Sequence, residues 1–143
     1  MTITQRITTH FTSIFLVFAL ITILFSVRYE KNISFDRLTS EMSIYTRLIK
    51  QGTPIEQLPD TSLRVNYIDA NGEVLSDNKL RFDSIHNVLN RKEVRQAIRY
   101  GEGTALRHSE TNGRLYFYYV KQDKKGYIRI AKPFSNKGEA LPV

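Results

Sequence analysis

Residues Phe11 to Val27, FTSIFLVFALITILFSV, form a run without a charged residue, proline or glycine. As an α-helix rising about 1.5 Å per residue it covers roughly 25 Å. That is the short end of what crosses a bilayer core about 30 Å thick. Ile7, Thr8, Thr9 and His10 can prolong the helix by a turn without adding a full charge, whereas Arg28, Glu30 and Lys31 end the apolar run abruptly. A core helix of a soluble protein normally keeps a polar face. Here only Thr12, Ser13, Thr22 and Ser26 are polar, so the run reads as membrane-inserted. A signal peptidase needs small residues at the end of such a run. Leu24-Phe25-Ser26-Val27 does not supply them, and a retained anchor is expected.

Charge bias alone would place the following domain in the cytoplasm, because Arg6 precedes the run while Arg28, Lys31 and Arg37 follow it. The rule weakens where a long domain follows the span. After the anchor about 115 residues remain, enough for one domain. The formal net charge of +7 is scattered apart from Lys121 to Lys125, which points to a solvated surface and not to a nucleic-acid interface. The chain contains no cysteine, which excludes disulfides, thiolate metal sites and cysteine nucleophiles.

A second helical stretch is expected over 28–52. Phe35, Leu38, Met42, Tyr45 and Ile49 recur at spacings of 3, 4, 3 and 4, with Asp36, Arg37, Glu41, Arg47 and Lys50 between them. No helix breaker separates this segment from the anchor, and Gly52 with Pro54 ends it. Two roles stay open for the stripe: packing on the domain's own sheet, or pairing with a second copy through Leu38, Met42, Tyr45 and Ile49.

Thr53 to Ser62 is a polar linker. Leu63 to Asp69 then alternates as a strand, Asp69-Ala70-Asn71-Gly72 is a turn, and Glu73 to Ser76 returns as its hairpin partner. Asp77 to Asn90 is irregular, with apolar Leu80, Phe82, Ile85, Val88 and Leu89. Asn90 predicts an N-cap, with Glu93 returning the capping-box bond, Val94, Ala97 and Ile98 as the buried face, and Gly101 as the stop. Strands are expected at Thr104 to Ser109, Arg114 to Lys121 and Tyr127 to Lys132, joined by Thr111-Asn112-Gly113 and Asp123-Lys124-Lys125-Gly126. The fold class is therefore α+β, a five-stranded antiparallel sheet with helices laid against it.

The stretch from Arg64 to Asp77, RVNYIDANGEVLSD, resembles the opening hairpin of extracytoplasmic PAS-like sensor domains. Asn87 to Glu110, NVLNRKEVRQAIRYGEGTALRHSE, resembles the segment that follows in sensor domains of phosphate-regulon-type (PhoR-like) membrane histidine kinases. Leu115 to Tyr119 and Gly126 to Ala131 are similar to that family's last two strands. The resemblance covers roughly residues 1 to 134 and rests on no catalytic motif. Joined to the residue reading, it divides the chain into a short tail at 1–10, an anchor at 11–27, a juxtamembrane helix at 28–52, a PAS-like sensor domain at 53–134 and a flexible tail at 135–143. It also implies a bacterial inner-membrane location with the domain outside the cytoplasm, as the signal-input region of a two-component system, and this chain's apolar run reads as a single pass. The family's second transmembrane helix and kinase core do not follow Phe134. The chain is accordingly the N-terminal part of a kinase, a truncated reading frame or a free-standing anchored protein. The other functional class is a single-pass interaction or structural protein of the bacterial envelope.

No catalytic site is expected. His10, His86 and His108 have no metal-ligand spacing, no P-loop or nucleophile elbow occurs, and Gly101-Glu102-Gly103 reads as a helix stop. Neither metal nor cofactor is implied, and this chain alone is not expected to be an enzyme. Asp69 is read as shaping its turn. Alternation puts Leu115, Phe117 and Tyr119 on one face and Tyr116, Tyr118 and Val120 on the other, and Arg129 on one face with Tyr127 and Ala131. Tyr116, Tyr118 and Arg129 are therefore the candidate ligand-binding residues, suited to a small anion. The partners expected are the membrane, a second copy, and a small anionic ligand or envelope protein.

Overall fold

The computed structural model describes residues 2–79, 87–110 and 112–134, with the side chains of 30–33 excepted. The irregular stretch around Leu80, Phe82 and Ile85, His86, Thr111 and the tail from Ser135 lie outside the described residues. The chain divides into two units, Met1–Arg37 and Leu38–Val143.

The first unit is helical throughout its described length except for Thr2. Helix α1 spans Ile3–Lys50 and is long and apolar enough to cross a membrane. Its apolar side chains, Phe11, Phe15, Phe18 and Ile21 among them, are exposed in the single chain. The few hydroxyls do not oppose insertion, because each can return a hydrogen bond to its own helix. Thr12 donates to the Thr8 carbonyl at 2.9 Å, Ser13 to Thr9 at 2.9 Å and Thr22 to Phe18 at 2.9 Å.

The second unit holds the end of α1 and the sheet. α1 stops where Gly52 adopts φ 93°, and the Gly52 and Thr53 amides donate to the Ile49 and Leu48 carbonyls. This glycine-closed end satisfies carbonyls that the helix leaves open. A single 3₁₀ turn, Ile55–Gln57, interrupts the linker. The strands are β1 (Arg64–Asp69), β2 (Val74–Asp77), β3 (Glu102–His108), β4 (Leu115–Asp123) and β5 (Gly126–Pro133), with helix α2 (Lys92–Tyr100) before β3. All neighbours are antiparallel, in the order β2-β1-β5-β4-β3. The expected α+β sheet with a long N-terminal helix and a short second helix is thus present. The Asp69 side chain accepts from the Asn71 and Glu73 amides at 2.8 and 2.9 Å and shapes the β1–β2 turn as anticipated.

Each face of the sheet has its own cover. One bears Phe117, Tyr119, Ile128 and Ile130, all buried, and meets the end of α1. Lys132 of β5 bonds Glu41 of α1 at 2.8 Å and Asp60 of the linker at 3.0 Å, and Lys50 donates to the Gln122 carbonyl. Among the described side chains of α1, Met42, Thr46 and Ile49 are buried. Thr46 was not part of the apolar stripe read from sequence. Its hydroxyl donates to the Met42 carbonyl at 2.8 Å, which removes most of the cost of burying it.

The opposite face carries α2, where Ile68, Val88, Val94, Ala97 and Val120 form a core cluster with Val74 and Tyr127 against it. α2 approaches β3 so closely that a Cβ on Gly103 would collide with the Glu93 carbonyl oxygen. The expected start of α2 is corrected. Its N-cap is Arg91, without a side-chain cap bond, and Asn90 lies outside the helix. Glu93 does not return to close a capping box, because its carboxylate is held by two arginines from the sheet. Gly101, at φ 84°, ends the helix as read from sequence. Ile98, expected on the buried face, is exposed.

Candidate functional site

Under the first turn of α2, Glu93 Oε1 accepts from Arg129 at 3.0 Å and from Arg107 at 3.2 Å. Sheet register explains how two arginines from different strands converge there. Tyr118 sits at the centre of the face, with Ala105 directly across on β3 and Ala131 directly across on β5. Methyl-sized side chains on both flanks leave room over the ring. Arg107 enters from the position opposite Tyr116 and Arg129 from the position opposite Val120. Their guanidinium carbons lie 4.1 and 4.5 Å from the Tyr118 ring centroid, within cation–π range.

The cluster is closed off at its centre and exposed at one arm. The side chain of Glu93 is 0% exposed and that of Arg129 3%, while Arg107 keeps 25% of its surface exposed. Burial pulls the Arg129 guanidinium below its ordinary value, and the Glu93 carboxylate opposes that shift. Two guanidiniums face one carboxylate, so the cluster holds more positive than negative charge. Glu93 Oε2, Arg107 Nε and Arg129 Nε are buried without a hydrogen-bond partner among the described residues. Buried polar groups are rarely left so.

Two further pairs border the cluster. Arg64 on β1 bonds Asp77 on β2 at 2.7 Å. Burial alone would raise the Asp77 carboxyl, but Arg64, the Lys79 amide and Asn66 outweigh it and hold the group below its usual range. Arg91 grips both oxygens of Glu110 at 2.7 Å each, which raises the Arg91 guanidinium against the effect of burial. Both pairs are internally neutral, so the charge excess belongs to Glu93, Arg107 and Arg129.

Of the residues singled out by alternation, Tyr118 and Arg129 lie in this cluster. Tyr116 is on the same face, 6.1 Å from Tyr118 between ring centroids, with its hydroxyl accepting from Asn112 at 3.0 Å. Glu93 and Arg107 were missed. Glu93 carried a capping-box signal that masked its other use. Arg107 stands at every second position with Ala105 and Gly103, and that alternation would have placed it on the Arg129 face once the strand order was known. On α1, Met42 and Ile49 are buried within one chain and Leu38 and Tyr45 are half-buried. The Tyr45 hydroxyl donates to Glu41 at 3.0 Å. His108 is exposed and its Nδ1 lies 3.0 Å from the Gly113 carbonyl oxygen in the β3–β4 turn. Among the described residues no group of three or more His, Asp or Glu is placed to hold a metal ion.

Fold and cluster together define an α+β domain that follows one candidate membrane span among the described residues. No protein-family model, curated protein or solved structure matches the chain.

Proposed function

We propose that this chain is the signal-input region of a membrane-anchored sensor of the two-component histidine-kinase type, with the domain outside the cytoplasm. The carrying observation is the placement of a charged, incompletely satisfied cluster on one sheet face while the helix that includes the apolar run covers the other. A change in the cluster acts on β5 through Arg129, and β5 is tied to α1 through Lys132 and Glu41. Packed elements of this kind have discrete arrangements, so a small shift at the sheet can move a helix. The architecture also agrees with what the sequence resemblance implies. Pairing of two chains along α1 belongs to the same proposal. Met42 and Ile49 are already covered by the chain's own sheet, which leaves half-buried Leu38 and Tyr45 and exposed Ile44 for a partner.

The test joins residues 1–134 to the second transmembrane helix and kinase core of a sensor kinase, with a transcriptional reporter of its output. Expected is a reporter level that Glu93→Gln and Lys132→Met each shift. A reporter indifferent to both substitutions, with the chimera present in the membrane, refutes signal input. A topology fusion after Phe134 that is active only in the cytoplasm refutes the orientation.

A further inference from the structure

We infer that Glu93 is a built-in occupant of a two-arginine anion site, and that a small hydroxycarboxylic acid takes its place at Arg107. The inference rests on the signal-input reading and adds to it the class of ligand. Three observations select that class. Among the described residues Arg107 Nε is a buried donor without an acceptor, so the ligand must bring an acceptor. Glu93 Oε2 is a buried acceptor without a donor among the described residues, so the ligand must also bring a donor close to that acceptor. Two guanidiniums against one carboxylate leave one positive charge in excess at the partly exposed Arg107 arm, which favours an anion there. A single carboxylate beside a hydroxyl meets all three requirements.

Other chemistries meet fewer of them. A plain carboxylate leaves Glu93 Oε2 without a donor. A dicarboxylate adds a second negative charge next to Glu93. A zwitterionic amino acid supplies the donor but leaves the excess charge in place.

The way in is also marked by the geometry. Of the two bonds to Glu93 Oε1, the Arg129 bond at 3.0 Å is buried, and the Arg107 bond at 3.2 Å belongs to the arm that keeps contact with solvent. Arg107 is therefore the arm that releases. Its guanidinium turns to the ligand carboxylate, the ligand hydroxyl donates to Glu93, and Arg129 keeps Glu93 in position. No covalent bond forms or breaks.

The test uses the full chain in lipid nanodiscs, with glycolate and lactate as probes and propionate, inorganic phosphate and chloride as comparators, read by calorimetric titration. Saturable binding of lactate or glycolate, at least roughly tenfold tighter than propionate, is expected from the hydroxyl–Glu93 bond. Glu93→Gln should collapse that preference by improving propionate binding, because the internal competitor for Arg107 loses its charge. Arg107→Gln should abolish binding with the melting midpoint little changed. Phosphate or chloride binding as tightly as the hydroxy acids would mean an adventitious ion only and would overturn the assignment. Absence of saturable binding to wild type and Glu93→Gln alike would also overturn it. Binding is read on the purified chain, so its failure is separable from failure of the reporter chimera.

Discussion

Glu93 of α2 and Arg129 of β5, separated by a large part of the domain in sequence, meet at 3.0 Å with both side chains withdrawn from water. Removing one member of such a pair strands the other's charge, at about 3–5 kcal/mol, whereas replacing both by apolar side chains of similar volume is often nearly neutral. Arg129→Met and Glu93→Leu are each expected to lower stability by about 3 kcal/mol. The double substitution should recover much of that loss. Chemical denaturation of the four proteins checks it, and additive losses would mean the two groups do not act as a pair.

Asp77 provides the pH dependence. Despite burial, Arg64, the Lys79 amide and Asn66 hold its carboxyl below the ordinary value. A carboxyl depressed on folding contributes stability that is full above its unfolded value of about 3.9 and is lost as pH falls through the folded value. Asp60 is also depressed, where Ser62 and Lys132 outweigh its burial. Stability should therefore be level from neutral pH to about 4 as far as these groups act, then fall. Asp77→Asn should flatten that fall, as followed by melting midpoints across an acid series.

Gly103 tests the seating of α2 on β3. A methyl group there would strike the Glu93 carbonyl oxygen and crowd Gln96. Gly103→Ala is expected to cost about 2 kcal/mol through overpacking, and to loosen the Glu93 cluster with it. Gly103 lies outside the left-handed region, unlike Gly113 at φ 68°, so its loss reports packing and not backbone strain. A loss within about 0.5 kcal/mol for Gly103→Ala would mean that α2 is not seated so closely.

Asn90 should tolerate alanine. An N-cap loses about 1 kcal/mol on such a change. Here the cap position is Arg91 and carries no side-chain bond, so the expected loss is within about 0.5 kcal/mol. A drop of a full kilocalorie would place the helix start at Asn90 after all.

Lys132 links three segments, bonding Glu41 at 2.8 Å and Asp60 at 3.0 Å. Burial would lower its ammonium, but the two carboxylates hold it above the ordinary lysine value. Glu41→Gln leaves Asp60 in place and should cost less than Lys132→Met, which leaves both carboxylates without their cation. The latter loss is expected at about 1 kcal/mol and should shrink in high salt. Melting at low and high ionic strength measures both.

Local pattern was enough for much of this molecule. An uncharged run with few polar residues, a breaker-free passage to Gly52, and turn residues at Asp69 to Gly72 and Asp123 to Gly126 each act within a few residues. Their physics needs no distant partner. Alternation along β4 and β5 likewise set which side chains share a face, and so brought out Tyr118 and Arg129. What tertiary structure alone decided is where those faces meet something else. Glu93 looked like a capping residue because the local bond was available. In the folded chain two sheet arginines offer a stronger, charge-assisted alternative, and a carboxylate buried among them cannot also reach back to cap its helix. Thr46 entered the buried side of α1 for a similar reason, since a hydroxyl bonded to its own helix can be covered at little cost. The strand order β2-β1-β5-β4-β3 places Arg107 and Arg129 on either side of Tyr118. Such long-range register depends on which strands find each other, and no short stretch of sequence carries that information.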